Sequence, residues 1–176
     1  LFPPFFLFLF YPFEVRVSSF IILHQNDDTI SLVCFFGLRI TELTLISFDE
    51  YHAVFEIPVE IIKKMKVFGN YCVVMQTKEL EEQITKYCEM ENVQYIFKKI
   101  IYCQQNRIDR IDSFNNVTLQ RFLYKNEDLA YQNEYRLAID MECPEDHYIR
   151  IGKLQNVVSL KAEDLNKFNI EITYKT

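Results

Sequence analysis

Two ionisable residues, Glu134 and Arg136, sit two positions apart in an otherwise apolar, strand-like run within Leu123–Asp140 (LYKNEDLAYQNEYRLAID). Charged side chains inside such a run are paired or put to use, because an isolated buried charge costs too much. On an extended segment side chains alternate. Glu134, Arg136, Ala138 and Asp140 therefore share one face, and Tyr135, Leu137 and Ile139 the other. Two readings follow. In one, the polar face is bathed in solvent and Glu134 pairs with Arg136 or a neighbouring strand, worth ~0–1 kcal/mol. In the other, Glu134 points into a cleft as a catalytic carboxylate oriented by Arg136. Tyr131, Gln132 and Lys125 would then be brought alongside by the preceding turn to hold a ligand.

No other residues form as good a constellation. His24, His52 and His147 are isolated, and no two of Cys34, Cys72, Cys88, Cys103 and Cys143 have metal-ligand spacing, so no metal centre is expected. Cys72 reads as a small buried hydrophobe. Gly37, Gly69 and Gly152 lie too far apart to build a phosphate-cradling loop. Net charge is −6 with scattered basic residues, which argues against duplex DNA as a partner. An odd set of five cysteines implies reduced thiols and a cytoplasmic setting.

The elements that must position these residues are short. Glu14–Leu23 and Ile30–Phe36 read as a hairpin about the polar run 25–28, and Leu43–Phe48 and Tyr51–Ile57 as further strands. Pro58–Val67 reads as a helix with Ile61, Ile62 and Met65 on one side. Tyr71–Gln76 has the make-up of a strand buried on both faces. Thr77 is placed to cap a helix carrying Leu80, Ile84, Tyr87 and Cys88 on its inner side. Val93–Tyr102 reads as a strand, residues 104–116 as an exposed connection, and Asn126–Gln132 as a capped helical turn. Asn133–Met141, His147–Ile151 and Asn169–Tyr174 complete the strands, with Ala162–Lys167 a short helix. Strands outnumber helices without alternating regularly. The expectation is a single α+β domain over residues 14–176, with a mostly antiparallel or mixed sheet and three to four short helices.

Residues 1–13 (LFPPFFLFLFYPF) are uncharged and strongly apolar, but shorter than the ~20 residues of a spanning helix, with prolines at 3 and 4. They are expected to be a truncated or misread start that buries little, or else a hydrophobic segment that packs on a partner or a membrane surface. No membrane span is expected.

Four pieces carry a resemblance: Phe68-Gly69-Asn70-Tyr71-Cys72-Val73-Val74, Tyr124-Lys125, Tyr131-Gln132-Asn133-Glu134-Tyr135-Arg136, and Ile149-Arg150-Ile151-Gly152-Lys153-Leu154. They resemble an uncharacterised family of bacterial domains that share an FGDY-strand element, an aromatic-Lys element, a YQ-x-E-[YF]-R strand and a closing I-x-I-G-x-L turn. The resemblance covers residues 67–176 and implies an accessory domain of bacteria, phage or other mobile elements. Gln132-x-Glu134 is also similar to the Gln/Glu-x-Glu element of ADP-ribosyltransferases, small α+β enzymes that use NAD as substrate. That resemblance implies Glu134 as the carboxylate facing an oxocarbenium-like transition state. It further implies Tyr71 as a middle-strand partner, and Arg16 or His24 as the early Arg or His. A non-catalytic module that binds a partner protein is the alternative.

Overall fold

The computed structural model describes residues 30–142, 145 and 148–173, together with the backbone of 5–11 and 20–21. The fold is α+β. Its strands are, in chain order, β1 (Phe5–Tyr11), β2 (Phe20–Ile21), β3 (Ser31–Arg39), β4 (Thr44–Phe48), β5 (His52–Glu56), β6 (Tyr71–Gln76), β7 (Tyr95–Lys99) and β8 (Ile101–Tyr102). These are followed by β9 (Tyr124–Lys125), β10 (Glu134–Ile139), β11 (Tyr148–Ile149), β12 (Val157–Lys161) and β13 (Asn169–Thr173). Among the described residues the α-helices are α1 (Val59–Met65), α2 (Thr77–Glu91) and α3 (Ile108–Asn115), and four short 3-10 turns lie between strands or beside α3.

Six strands form the main sheet in the order β12-β6-β1-β3-β10-β7, each neighbour antiparallel. Apolar runs without alternation explain its centre. SLVCFFGLR in β3 and YCVVM in β6 are buried on both faces, so each strand feeds two cores. On one face, Val33, Phe35, Val73, Met75, Leu137 and Ile139 meet Leu80, Ile84 and Cys88 of α2. Those helical residues recur every four positions and so form one stripe. The helix ends where Asn92 adopts a left-handed conformation, its N–H donating to the Cys88 and Glu89 carbonyls.

The opposite face is covered in two parts. Over β6 and the far end of β3, Phe36, Leu38, Cys72 and Val74 pack with Ala53, Phe55, Ile62, Met65, Leu165 and Ile170. These come from a three-stranded sheet, ordered β13-β5-β4, and from α1 and the 3-10 turn Ala162–Lys167. Over β10 and β7, Leu32, Ala138 and Ile96 pack with Leu119 and Phe122 of the turn Leu119–Leu123.

Several expectations change. Among the described residues, Ser31–Phe36 pairs with β10 and the strand continues alongside β1 from Phe36 on, while Phe20–Ile21 of the expected hairpin pairs with β11 instead. The rest of that expected hairpin falls outside the described residues. Within the apolar segment 1–13, expected to be a truncated or misread start or else a hydrophobic packing segment, residues Phe5–Tyr11 form β1 between β6 and β3 in the main sheet. Residues 104–116 contain α3, and Thr77 is the first residue of α2 with no side-chain cap before it. Val157–Lys161 forms an edge strand that its polar neighbours hide in sequence. Among the described residues, no helix is long and apolar enough to cross a membrane.

Candidate functional site

β10 carries Glu134 and Arg136 on the face that also bears Ala138. That face is buried rather than solvated: Glu134 is 6% exposed and Arg136 5%. The alternation anticipates which residues share a face but not that both faces are covered. The cover is the turn Leu119–Leu123 and β9, whose cross-chain packing no local pattern announces.

The carboxylate of Glu134 is held by two cations. Its Oε1 accepts from Arg136 Nε at 2.8 Å and lies 2.7 Å from Arg136 Nη2. Its Oε2 accepts from Lys125 Nζ, which also donates to Gln132 Oε1 at 2.8 Å. Arg136 Nη1 in turn donates to the Phe122 carbonyl at 2.6 Å, tying the strand to the turn above it. The main chain of Glu134 is occupied as well, its N–H donating to Tyr102 Oη at 2.9 Å and its carbonyl accepting from Ile100 N–H at 2.9 Å. Every side chain in this cluster meets a partner; among the described residues no buried side-chain polar atom is left without one.

Electrostatics follow from the geometry. Burial alone would raise the Glu134 carboxyl, but Arg136, a hydrogen bond from Cys34 and the contact with Lys125 outweigh it and hold Glu134 below its ordinary value. Burial works against the Arg136 cation, yet its neighbours Cys34 and Glu134 keep it above its usual value. Cys34 stands directly across from Arg136 in the β3–β10 register. Its thiol is pushed up to about 12, by burial first and then by the negative charge of Glu134. Such a thiol is protonated and a poor nucleophile.

Of the residues selected from sequence, Glu134, Arg136, Lys125 and Gln132 come together. Tyr131 is left exposed beside them. Tyr71 does not join. It follows the parity of Val73 and Met75, which face α2, whereas Glu134 shares its face with Phe36 on β3. Two strands, β1 and β3, also separate β6 from β10. Tyr71 instead lines a cavity of about 350 Å³ with Lys66, Asn70, Lys161 and Glu163. Arg16 and His24 lie outside the described residues. Cys34 and Tyr102, which complete the cluster, are not among the residues the sequence singles out. They join it only through strand pairing across the chain, and no signal near Glu134 points to them.

A second feature stands out on the surface. Helix α3 buries only Ser113 and leaves its large apolar residues outside: Ile108 is 76% exposed and Phe114 51%, with Ile111 and the adjacent Val117 also exposed. Its first turn is fixed by polar contacts, Arg107 Nε donating to Asp109 Oδ1 at 2.6 Å and Arg110 Nη1 to Asn126 Oδ1 at 3.3 Å. Val117, just beyond the helix, is held at φ 52°, a costly conformation for a β-branched residue. No three His, Cys, Asp or Glu among the described residues are grouped to hold a metal ion. Comparison with protein-family models, with curated proteins and with solved structures finds no match.

Proposed function

We propose that this chain is a non-catalytic interaction module that presents α3 to a partner protein in a reducing, cytoplasmic compartment. The observation that carries the reading is the inverted amphipathicity of α3. A helix normally turns its apolar row inward, and exposed apolar side chains gathered on one short element mark a contact surface. Ile108, Ile111 and Phe114 recur every third residue, the spacing with which a helix fills a groove on a partner. Arg107, Asp109, Arg110 and Asp112 surround them with both signs of charge, as the rim of a protein interface does.

The ion-pair cluster supports this reading over ADP-ribosyl transfer. A carboxylate that stabilises an oxocarbenium ion must face the sugar. Both oxygens of Glu134 are instead committed to Arg136 and Lys125 beneath covering chain, and Tyr71 is on the other side of the sheet. In this reading Glu134 anchors β9 and the turn Leu119–Leu123 to the sheet, and so holds α3 in place. Free Cys34, Cys72, Cys88 and Cys103 suit a reducing setting.

A photo-crosslinking residue placed at Phe114 tests the proposal in extract of the native cells. A discrete adduct is expected with that protein, and it should vanish when Ile108→Asp is added. Absence of any adduct at 114 would count against the module. So would nicotinamide release from NAD by the purified chain that disappears in Glu134→Gln, which would restore the transferase.

A further inference from the structure

We infer that the free edge of β4 is a strand-addition site for an extended polypeptide segment in which apolar residues alternate with basic ones. β4 is the last strand of the sheet β13-β5-β4, and among the described residues nothing pairs with its outer edge. All five of its residues, Thr44–Phe48, are exposed. It holds no charge and no proline, the usual guards of an open edge. The one irregularity is the bulge between Leu45 and Ser47, which bends the edge without adding either. The hairpin geometry orients the backbone. Asp49 N–H donates to the His52 carbonyl at 2.8 Å, so that pair is of the hydrogen-bonded kind. Phe48, next along, then turns its own N–H and carbonyl away from β5 and toward an incoming strand.

The two faces of this sheet specify the occupant. Leu45 and Phe48 stand opposite Phe55 and Ala53, on the face that packs against the main sheet. They overhang it, with Phe48 75% exposed. An added strand would lay alternate apolar side chains on this shelf. The outer face carries Thr44 and Ser47, then Glu56 on β5 and Glu171 opposite Val54 on β13. Asp49 and Glu50 close the end of β4. Asp49 accepts from the Tyr51 and His52 N–H groups, which hold it below its ordinary value, so it is charged at neutral pH. Basic side chains on the outward positions of an added strand run beside Asp49 and Glu50 and within the field of Glu56, which stands one strand behind β4. A second copy of the chain pairing through its own β4 would bring no basic residue to these carboxylates, because Thr44–Phe48 is uncharged. The occupant is therefore a different polypeptide. This surface is built from different elements than α3, so either can fail without the other.

The probe is a short acetylated, amidated peptide in which Val alternates with Lys, set against one in which Val alternates with Glu, with binding followed by fluorescence anisotropy on the full chain. The Lys peptide is expected to bind and the Glu peptide to bind at least about ten-fold more weakly at low salt, the gap closing as salt rises. Phe48→Pro removes the outward donor at an edge position where proline is tolerated, and should weaken the Lys peptide about ten-fold. Phe48→Val, which keeps the donor, should weaken it less. An unchanged thermal midpoint shows that each variant is folded. Glu50→Lys should narrow the preference for Lys over Glu. The inference is overturned if the Lys peptide fails to bind, or if it binds folded Phe48→Pro as well as it binds wild type. It is equally overturned if the chain dimerises in solution and Phe48→Pro abolishes the dimer.

Discussion

At the residue scale, Glu134 is the point on which charge balance turns. Replacing it with Gln would leave Arg136 and Lys125 facing one another with no counter-charge, one of them almost fully buried. Breaking a buried pair in this way costs about 3–5 kcal/mol, far more than the exposed pair first read from the alternation of β10. Chemical denaturation of Glu134→Gln should show that loss, whereas Glu60→Gln, which breaks an exposed pair with Lys63, should be neutral within experimental error. The pH dependence has a definite sign. The Glu134 carboxyl is lower in the folded chain than the ordinary value of 4.5. Its contribution is therefore complete above that value and is lost as pH falls through the folded value. The stability gap between wild type and Glu134→Gln should be flat from neutral pH down to about 5 and should close in stronger acid.

At the scale of elements, α2 and α3 make a controlled contrast. Ile84 is fully buried under the main sheet, so Ile84→Ala should cost about 2–5 kcal/mol. Phe114 on α3 stands outside, and Phe114→Asp should change stability by less than about 0.5 kcal/mol while removing partner contact. The difference was legible in one helix and not in the other. Leu80, Ile84 and Cys88 repeat with a helical period among charged residues, which only an amphipathic helix explains. Ile108, Ile111 and Phe114 repeat too, but in a segment polar enough to pass for a loop, because its apolar row is not matched to a core. The strands follow the same division. β3, β6 and β10 declare themselves through β-branched and aromatic content, yet their neighbours are set by pairing between distant parts of the chain. The same limit separates Glu134, visible as a misplaced charge, from Cys34 and Tyr102, whose parts in the cluster depend on register.

At the scale of the whole molecule, β1 holds the two halves of the main sheet together. It pairs with β3 on one side and with β6 on the other. Deleting residues 1–11 would leave both with unpaired edges in the middle of the sheet, and the truncated chain should lose its cooperative unfolding transition in a thermal melt followed by circular dichroism. The thiols give a second global check. Cys72 is pushed up to about 12 and Cys88 to about 11, by burial in both cases. A thiol reagent should label these two only slowly in the native chain, and all five cysteines rapidly, without prior reduction, once it is unfolded.

The strand order has a consequence for how this protein is made. Gly37 and Asn133 bond to each other at the β3–β10 edge although 96 positions separate them. β3 therefore leaves the ribosome well before its partner exists, with apolar residues meant for two faces and one edge still open. A topology of such high contact order folds slowly and exposes sticky edges while it waits. A nascent chain stalled between β9 and β10 should bind holdase chaperones, and release them only when residues 134–139 clear the exit tunnel.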